Sequence, residues 1–290
     1  MTWQFEQLAK LDGITEGPLW INGMLFFTHI AGNRIMQYRP DSGVGEVCGG
    51  TEASNGLMAD RAGNIYVCVG GGRRIARHHH ERGLEDLCSE LDGKRLNSPN
   101  DLAIDSQGRI WFTDPRYGDY RDDMELDHES VLRLTQGADS TWTCERMTFD
   151  TTSPNGILLS PDESTLYVAE SKYGEGQNRD LRAYPVLDDG SLGDVEILHN
   201  FYPHRGIDGM CLDSEGNIVA TAGWEESGPG GMIYVFTPQG RVLETHPLPC
   251  NRPTNCTFGG AELNELFVTS IDGHLLHART DRTGYLPYMA

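Results

Sequence analysis

The chain is poor in basic residues, poor in cysteine, and without a long apolar run. Lys and Arg total 23 against 43 Asp and Glu in 290 residues, a formal net charge of −20. So acidic a surface repels phosphate backbones. The one basic cluster, Arg73 to Arg82 with its His78-His79-His80 run, is too short to offset it, and nucleic acid is not an expected partner. No stretch approaches the roughly 18 apolar residues that a membrane helix needs, so no membrane association is expected either. The N-terminal residues show neither a basic start nor an apolar block, which makes a cytoplasmic location the expectation. Seven cysteines, odd in number and without a C-x-x-C pair, fit neither a disulfide framework nor a zinc knuckle, and are expected to be reduced, mostly buried thiols. Three consecutive histidines on an extended chain alternate in direction and cannot converge on one ion, so the run is expected in an exposed loop. A G-x-S-x-G elbow and a G-x-G-x-x-G on a strand-to-helix junction are both missing, which removes support for an α/β-hydrolase or a dinucleotide enzyme.

What the chain does have is glycine, 35 residues of it, and many short apolar strands. Six segments repeat one pattern: a carboxylate or amide, a few apolar residues, a turn with Asp, Gly or Asn, and a second apolar strand. They begin at Glu16, Asn55, Asn100, Asn155, Asp208 and Asn255, in steps of 39, 45, 55, 53 and 47 residues. These steps match the length of a four-stranded propeller blade, so the expected architecture is all-β, a six-bladed β-propeller with four-stranded antiparallel blades around a central channel. A single domain spans residues 1–290, because all-β folds commonly exceed 200 residues as one unit. Turns such as Asp105-Ser-Gln-Gly108 and Asp213-Ser-Glu-Gly216 pair an opening Asp with a Gly for the positive-φ position. The sixth unit is one strand short. Residues about 4–9, ahead of the first anchor, are expected to supply its outer strand and cover a free edge. The polar insertions Pro115 to Glu129 and Lys172 to Asp180 are expected as loops at one mouth of the channel.

Equivalent positions on six innermost strands form a ring about the axis, here two carboxylates and four amides. Any one of these could simply cap a strand start. Six together offer side-chain oxygen alone, which suits a hard divalent cation, and two carboxylates left together in a narrow channel would otherwise raise a pKa. Not every member of so wide a ring can reach one ion. Glu16 and Asp208 are the first assigned as metal ligands, then Asn155, then Asn100, with Asn55 and Asn255 left to orient substrate or water or to play a structural part. An ion with open positions can polarise a carbonyl or phosphoryl oxygen while a neighbouring carboxylate activates water, giving hydrolysis of an activated ester. The acidic chain favours a neutral substrate such as a lactone over an anionic one.

The stretches Glu16-Gly-Pro-Leu-Trp20, Leu96-Asn-Ser-Pro-Asn-Asp-Leu102 with Ile110-Trp-Phe-Thr-Asp-Pro-Arg-Tyr-Gly118, Ser153-Pro-Asn-Gly156 with Leu166-Tyr-Val-Ala-Glu170, and Gly206-Ile-Asp-Gly-Met210 resemble the gluconolactonase, regucalcin (senescence marker protein) and luciferin-regenerating-enzyme family. The likeness spans nearly the whole chain and implies a six-bladed propeller with one catalytic divalent ion. It implies that Glu16, Asn155 and Asp208 are the protein ligands and that Asp208 is the catalytic general base. It also implies that Asn100 either contacts substrate or ligates the metal. Asp101, Tyr117 and Arg116 are substrate-contact candidates, and His29, Trp224 and Glu225 are candidates at the rim. No Arg matches the sugar-binding position of some members. The expected function is therefore metal-dependent opening of a lactone, a sugar lactone first. Ca²⁺ is the expected cofactor, with Mg²⁺, Mn²⁺, Zn²⁺ or Fe²⁺ compatible. A phosphotriesterase-like hydrolase and a non-catalytic ion- or ligand-binding propeller are the alternatives.

Overall fold

Our computed structural model describes residues 2–171 and 178–289. Six four-stranded antiparallel blades stand in a ring, a six-bladed β-propeller. Their innermost strands are Thr15–Ile21, Ser54–Ala59, Leu102–Ile104, Pro154–Leu159, Ile207–Asp213 and Pro253–Gly259, each paired to the strand that follows it. Blade 6 takes its outermost strand from the other end of the chain: Glu6–Lys10 pairs antiparallel with His274–Arg279. Trp3 reinforces this closure by stacking on His246 at 3.9 Å and donating its indole N–H to Asp281 at 2.7 Å.

The core lies between the blades, in six clusters, one at each seam. Strand alternation explains this. In Met24–His29, Leu25 and Phe27 pack toward blade 6 while Phe26 packs toward blade 2, so both faces of a blade are apolar. The hairpin turns follow the sequence reasoning. Asp105 accepts the backbone N–H groups of Gln107 and Arg109 at 3.0 and 2.9 Å, and Gly108 has φ +77°.

Five of the six innermost strands carry one extra residue at the ring position. Between Glu16 and Leu19 the pairing advances three residues against two on Met24–His29, and the same slip recurs in blades 2, 4, 5 and 6. Such a bulge re-aims a side chain, here toward the channel. Four of the six anchors are followed by glycine, and each glycine lies against the next blade's inner strand. A Cβ on Gly156 would stand 2.4 Å from the Asp208 carbonyl oxygen, and one on Gly17 2.4 Å from that of Asn55.

Several sequence expectations need correction. His78 and His79 end the strand Arg74–His79 instead of sitting in an exposed loop, and His79 pairs with Glu85 at 2.6 Å. All seven cysteines are free, but only Cys68 and Cys256 are buried; the other five are half-buried and pack against the edges of the apolar seams between blades. Past the sixth blade the chain adds a strand that the repeat does not announce: Gly284–Tyr285 pairs with Leu212 and Asp213, beneath the channel. A short hairpin, Glu90–Leu91 with Lys94–Arg95, was also not anticipated. Of the two insertions, residues 115–129 include a 3₁₀ turn at Gly118–Asp123, whereas residues 172–177 of the second lie outside the described residues. No helix among the described residues is long and apolar enough to cross a membrane.

Candidate active site in the channel

The anchors divide the channel. Above them a cavity of about 570 Å³ is lined by Glu16, Asn55, Asn100, Asn155 and Asp208 together with residues that precede the anchors in each blade. Below, residues that follow the anchors line a chamber of about 80 Å³, closed by Tyr285 to Tyr288. Asn255 and Asp101 belong to the lower chamber, where Asn255 Nδ2 donates to Asp101 Oδ2 at 3.2 Å across the axis from blade 6 to blade 3. Asp101 therefore does not face the upper cavity. It forms part of the floor.

The upper ring is held from behind. Threonines on the second strands hydrogen-bond the anchor backbones of the next blade: Thr28 to the Asn55 carbonyl at 2.9 Å and Thr113 to that of Asn155 at 2.7 Å. In blades 3 and 4 a carboxylate at the end of the second strand fastens the loop that leads into the anchor. Asp114 accepts the Asn97 and Ser98 N–H groups, both at 2.8 Å, and Glu170 accepts those of Thr152 and Ser153 at 2.9 and 3.0 Å. These two contacts explain why the Thr-Asp-Pro and Val-Ala-Glu stretches accompany Asn100 and Asn155 in the sequence. They are positioning residues, and sequence reasoning did not assign them.

Burial raises the Glu16 carboxyl well above its ordinary value, and the charges of Asp208 and Asp101 push it further. Burial also raises Asp208, against the opposing pull of Arg205 and a hydrogen bond from Asn155. Asp101 is pushed up to about 7, chiefly by burial. Glu16, Asn155 and Asp208 line the same upper cavity. Asn100 Nδ2 donates to the Tyr117 hydroxyl at 3.0 Å and Asn155 Nδ2 to Ser171 Oγ at 2.9 Å, so each amide keeps its oxygen available. Asn55 Oδ1 is buried and receives no hydrogen bond. This set of carboxylate and amide oxygens suits a hard divalent cation. Among the described residues no three His, Cys, Asp or Glu side chains form a metal cluster, so any cation would depend on amide oxygens as well.

Asp208 is not an unpaired charge. Arg205 Nη2 donates to Asp208 Oδ2, while Arg205 Nη1 donates to the Pro253 carbonyl at 2.9 Å. Among the described residues only Glu16, of the two ring carboxylates, has no basic partner. Arg205 was missed in the sequence, as was Arg252, although a signal existed: both stand three residues ahead of an anchor, the only anchors so preceded by a basic residue.

The 115–129 insertion covers the cavity with Arg116, Tyr117 and Arg121. Arg116 is tied to Asp123 and to Ser98 Oγ at 2.7 Å, and Arg121 to Glu129. Tyr117 leaves 41 % of its surface exposed but turns its hydroxyl inward to Asn100. Burial raises that phenol well above its ordinary value, with the Asp208 and Glu16 charges adding to it, so it stays protonated and can donate into the cavity. His29 does not line the cavity; its Nε2 lies 2.8 Å from the Asp12 carbonyl. Trp224 stands behind the rim under Arg252, and Glu225 faces a separate surface recess.

The fold and this channel define a six-bladed propeller whose axis carries an acid and amide ring beneath an arginine-lined mouth. The SMP-30/Gluconolactonase/LRE-like family profile matches residues 14–272, and the chain belongs to that family. A gluconolactonase of Zymomonas mobilis is 31% identical over 93% of this chain and 79% of its own length. A regucalcin of Xenopus laevis is 27% identical over 89% of this chain and 83% of its own. Among solved structures, a gluconolactonase from Xanthomonas campestris superimposes with a TM-score of 0.82 at 32% identity, covering 96% of this chain and 89% of that one.

Proposed function

We propose that the chain is a lactone hydrolase acting on sugar lactones with the help of one divalent cation. The observation that carries this reading is the convergence of Glu16, Asn155 and Asp208 in one cavity roofed by Tyr117 and Arg116. The gluconolactonase relatives support it. Glu16, Asn155 and Asp208 are the residues that would hold the cation, with Asn100 either joining them or holding substrate; the all-oxygen set favours Ca²⁺. When bound, the cation supplies Lewis-acid polarisation of the lactone carbonyl.

The chain's own residues do the rest. Asp208, raised by burial, is a better base than an exposed aspartate and takes a proton from the attacking water. A C–O bond forms to that water, the ring C–O bond breaks, and the same proton passes to the departing ring oxygen, leaving a hydroxy acid. Arg205 fixes one oxygen of Asp208 and so orients the other. Asn100 and the Tyr117 hydroxyl hold the hydroxyls of the sugar ring, and Arg116 anchors the roof. The test is Asp208→Asn, which keeps the shape of the side chain. We expect a folded protein whose kcat on gluconolactone falls about 10²-fold or more, the scale of losing a general base. Near-wild-type turnover contradicts the assignment.

A further inference from the structure

The acidity of the chain argues for a neutral substrate, yet its cavity does not share that character. Four arginines line it: Arg116, Arg121, Arg205 and Arg252. Three are matched by carboxylates, namely Asp123, Glu129 and Asp208. Among the described residues no carboxylate pairs with Arg252. From these observations we propose that Arg252 is an anion-recognising residue, and that the cavity takes lactones carrying an acidic substituent such as a terminal carboxylate. The proposal rests on the lactonase reading above and deepens it.

Three features set Arg252 apart from a solvated surface arginine. Its guanidinium lies over the Trp224 ring, 5.2 Å from the centroid, a contact that fixes the plane of the fork before any ligand arrives. Its Nε is buried with no acceptor, so the side chain is held at a cost that free swing into water would remove. Its backbone sits at φ +46°, where Gly or Asn would be less strained, and its carbonyl accepts the Ile271 N–H at 3.1 Å. Arg252 and Asp208 line the same cavity, so the anion site opens onto the reacting centre. An acidic group on the far end of a small lactone can thus meet Arg252 while the carbonyl faces Asp208. A partly desolvated cavity makes one such charge-assisted pair count for more than it would on the surface.

The test compares an aldonolactone with the matching aldarolactone, which differ only in a terminal hydroxymethyl or carboxylate, on the wild type, Arg252→Gln and Arg252→Lys. The wild type should favour the aldarolactone in kcat/KM. Arg252→Gln should lower the aldarolactone-to-aldonolactone ratio at least tenfold, mainly through KM, and Arg252→Lys should restore part of it. An unchanged ratio overturns the proposal, as does a wild-type preference for the neutral lactone. Calorimetric titration with the aldarolactone separates this failure from that of the lactonase reading. If neither lactone is turned over, tenfold weaker binding to Arg252→Gln still supports the anion site, and equal binding overturns it.

Discussion

At the residue scale the channel is a set of side chains whose environments were only half written in the sequence. The anchors Glu16, Asn100, Asn155 and Asp208 were legible because each opens a repeat, and equivalent positions of a propeller must meet at its axis. Arg205 was missed, because a basic residue three positions ahead of an anchor recurs only at Arg252, in two of six units, too few to stand out as part of the repeat. The pairing becomes visible only when the bulged strand Ile207–Asp213 turns Asp208 back toward the loop that carries Arg205. Asp114 was likewise read as part of a motif without a role, and it proves to fasten the loop before Asn100. Its carboxyl is pushed up to about 7, chiefly by burial. A carboxyl with a folded value above its unfolded one binds its proton more tightly in the folded chain. Its stabilising contribution is therefore complete below pH about 4 and is lost as pH rises toward about 7. Asp114→Asn should remove that one-proton share, about 1.4 kcal/mol per pH unit, from the slope of stability between pH 4.5 and 6.5. Urea denaturation across that range measures it, and an unaltered slope would show that Asp114 titrates normally.

At the scale of the element, the repeat located the inner two strands of every blade to within a few residues, because those strands are buried on both faces and so carry most of the apolar residues, whereas outer strands such as Glu196–Asn200 and Val242–Pro247 are largely exposed. The bulges were beyond reach. An extra residue leaves the composition of Thr15–Ile21 or Pro154–Leu159 unchanged and alters only where the anchor points. The glycine after the anchor was the trace of it. Gly156 has an ordinary backbone conformation, so its role is space: the Asp208 carbonyl would stand 2.4 Å from an added Cβ. Gly156→Ala should destabilise the fold by about 1–3 kcal/mol, the usual cost of overpacking. Gly45→Ala, on an outer strand where the nearest atom to an added Cβ is the Gln37 amide at 3.8 Å, should be close to neutral. Denaturant midpoints of the two variants decide this, and equal values would remove the close approach of inner strands as the reason for glycine at the ring.

At the scale of the whole molecule, charge is sorted. A chain with a net charge of −20 gathers arginines at one mouth of its channel and places carboxylates and amides beneath them. Composition alone could not reveal this sorting, because net charge carries no positions, and the inference of a neutral substrate from acidity was weak for that reason. Pairing of Glu6–Lys10 with His274–Arg279 completes the sixth blade and closes the ring, and five of the six anchors line the upper cavity while Asn255 lies in the chamber below. Metal-dependent lactone opening is tested most directly by gluconolactone hydrolysis with protein stripped of divalent ions by a chelator and then reloaded with Ca²⁺, Mg²⁺, Mn²⁺ or Zn²⁺ in turn. Activity should disappear on stripping and return with at least one ion, Ca²⁺ foremost, while Glu16→Gln fails to recover it at the same ion concentration. Full activity in the stripped protein, or none under every ion, would contradict it.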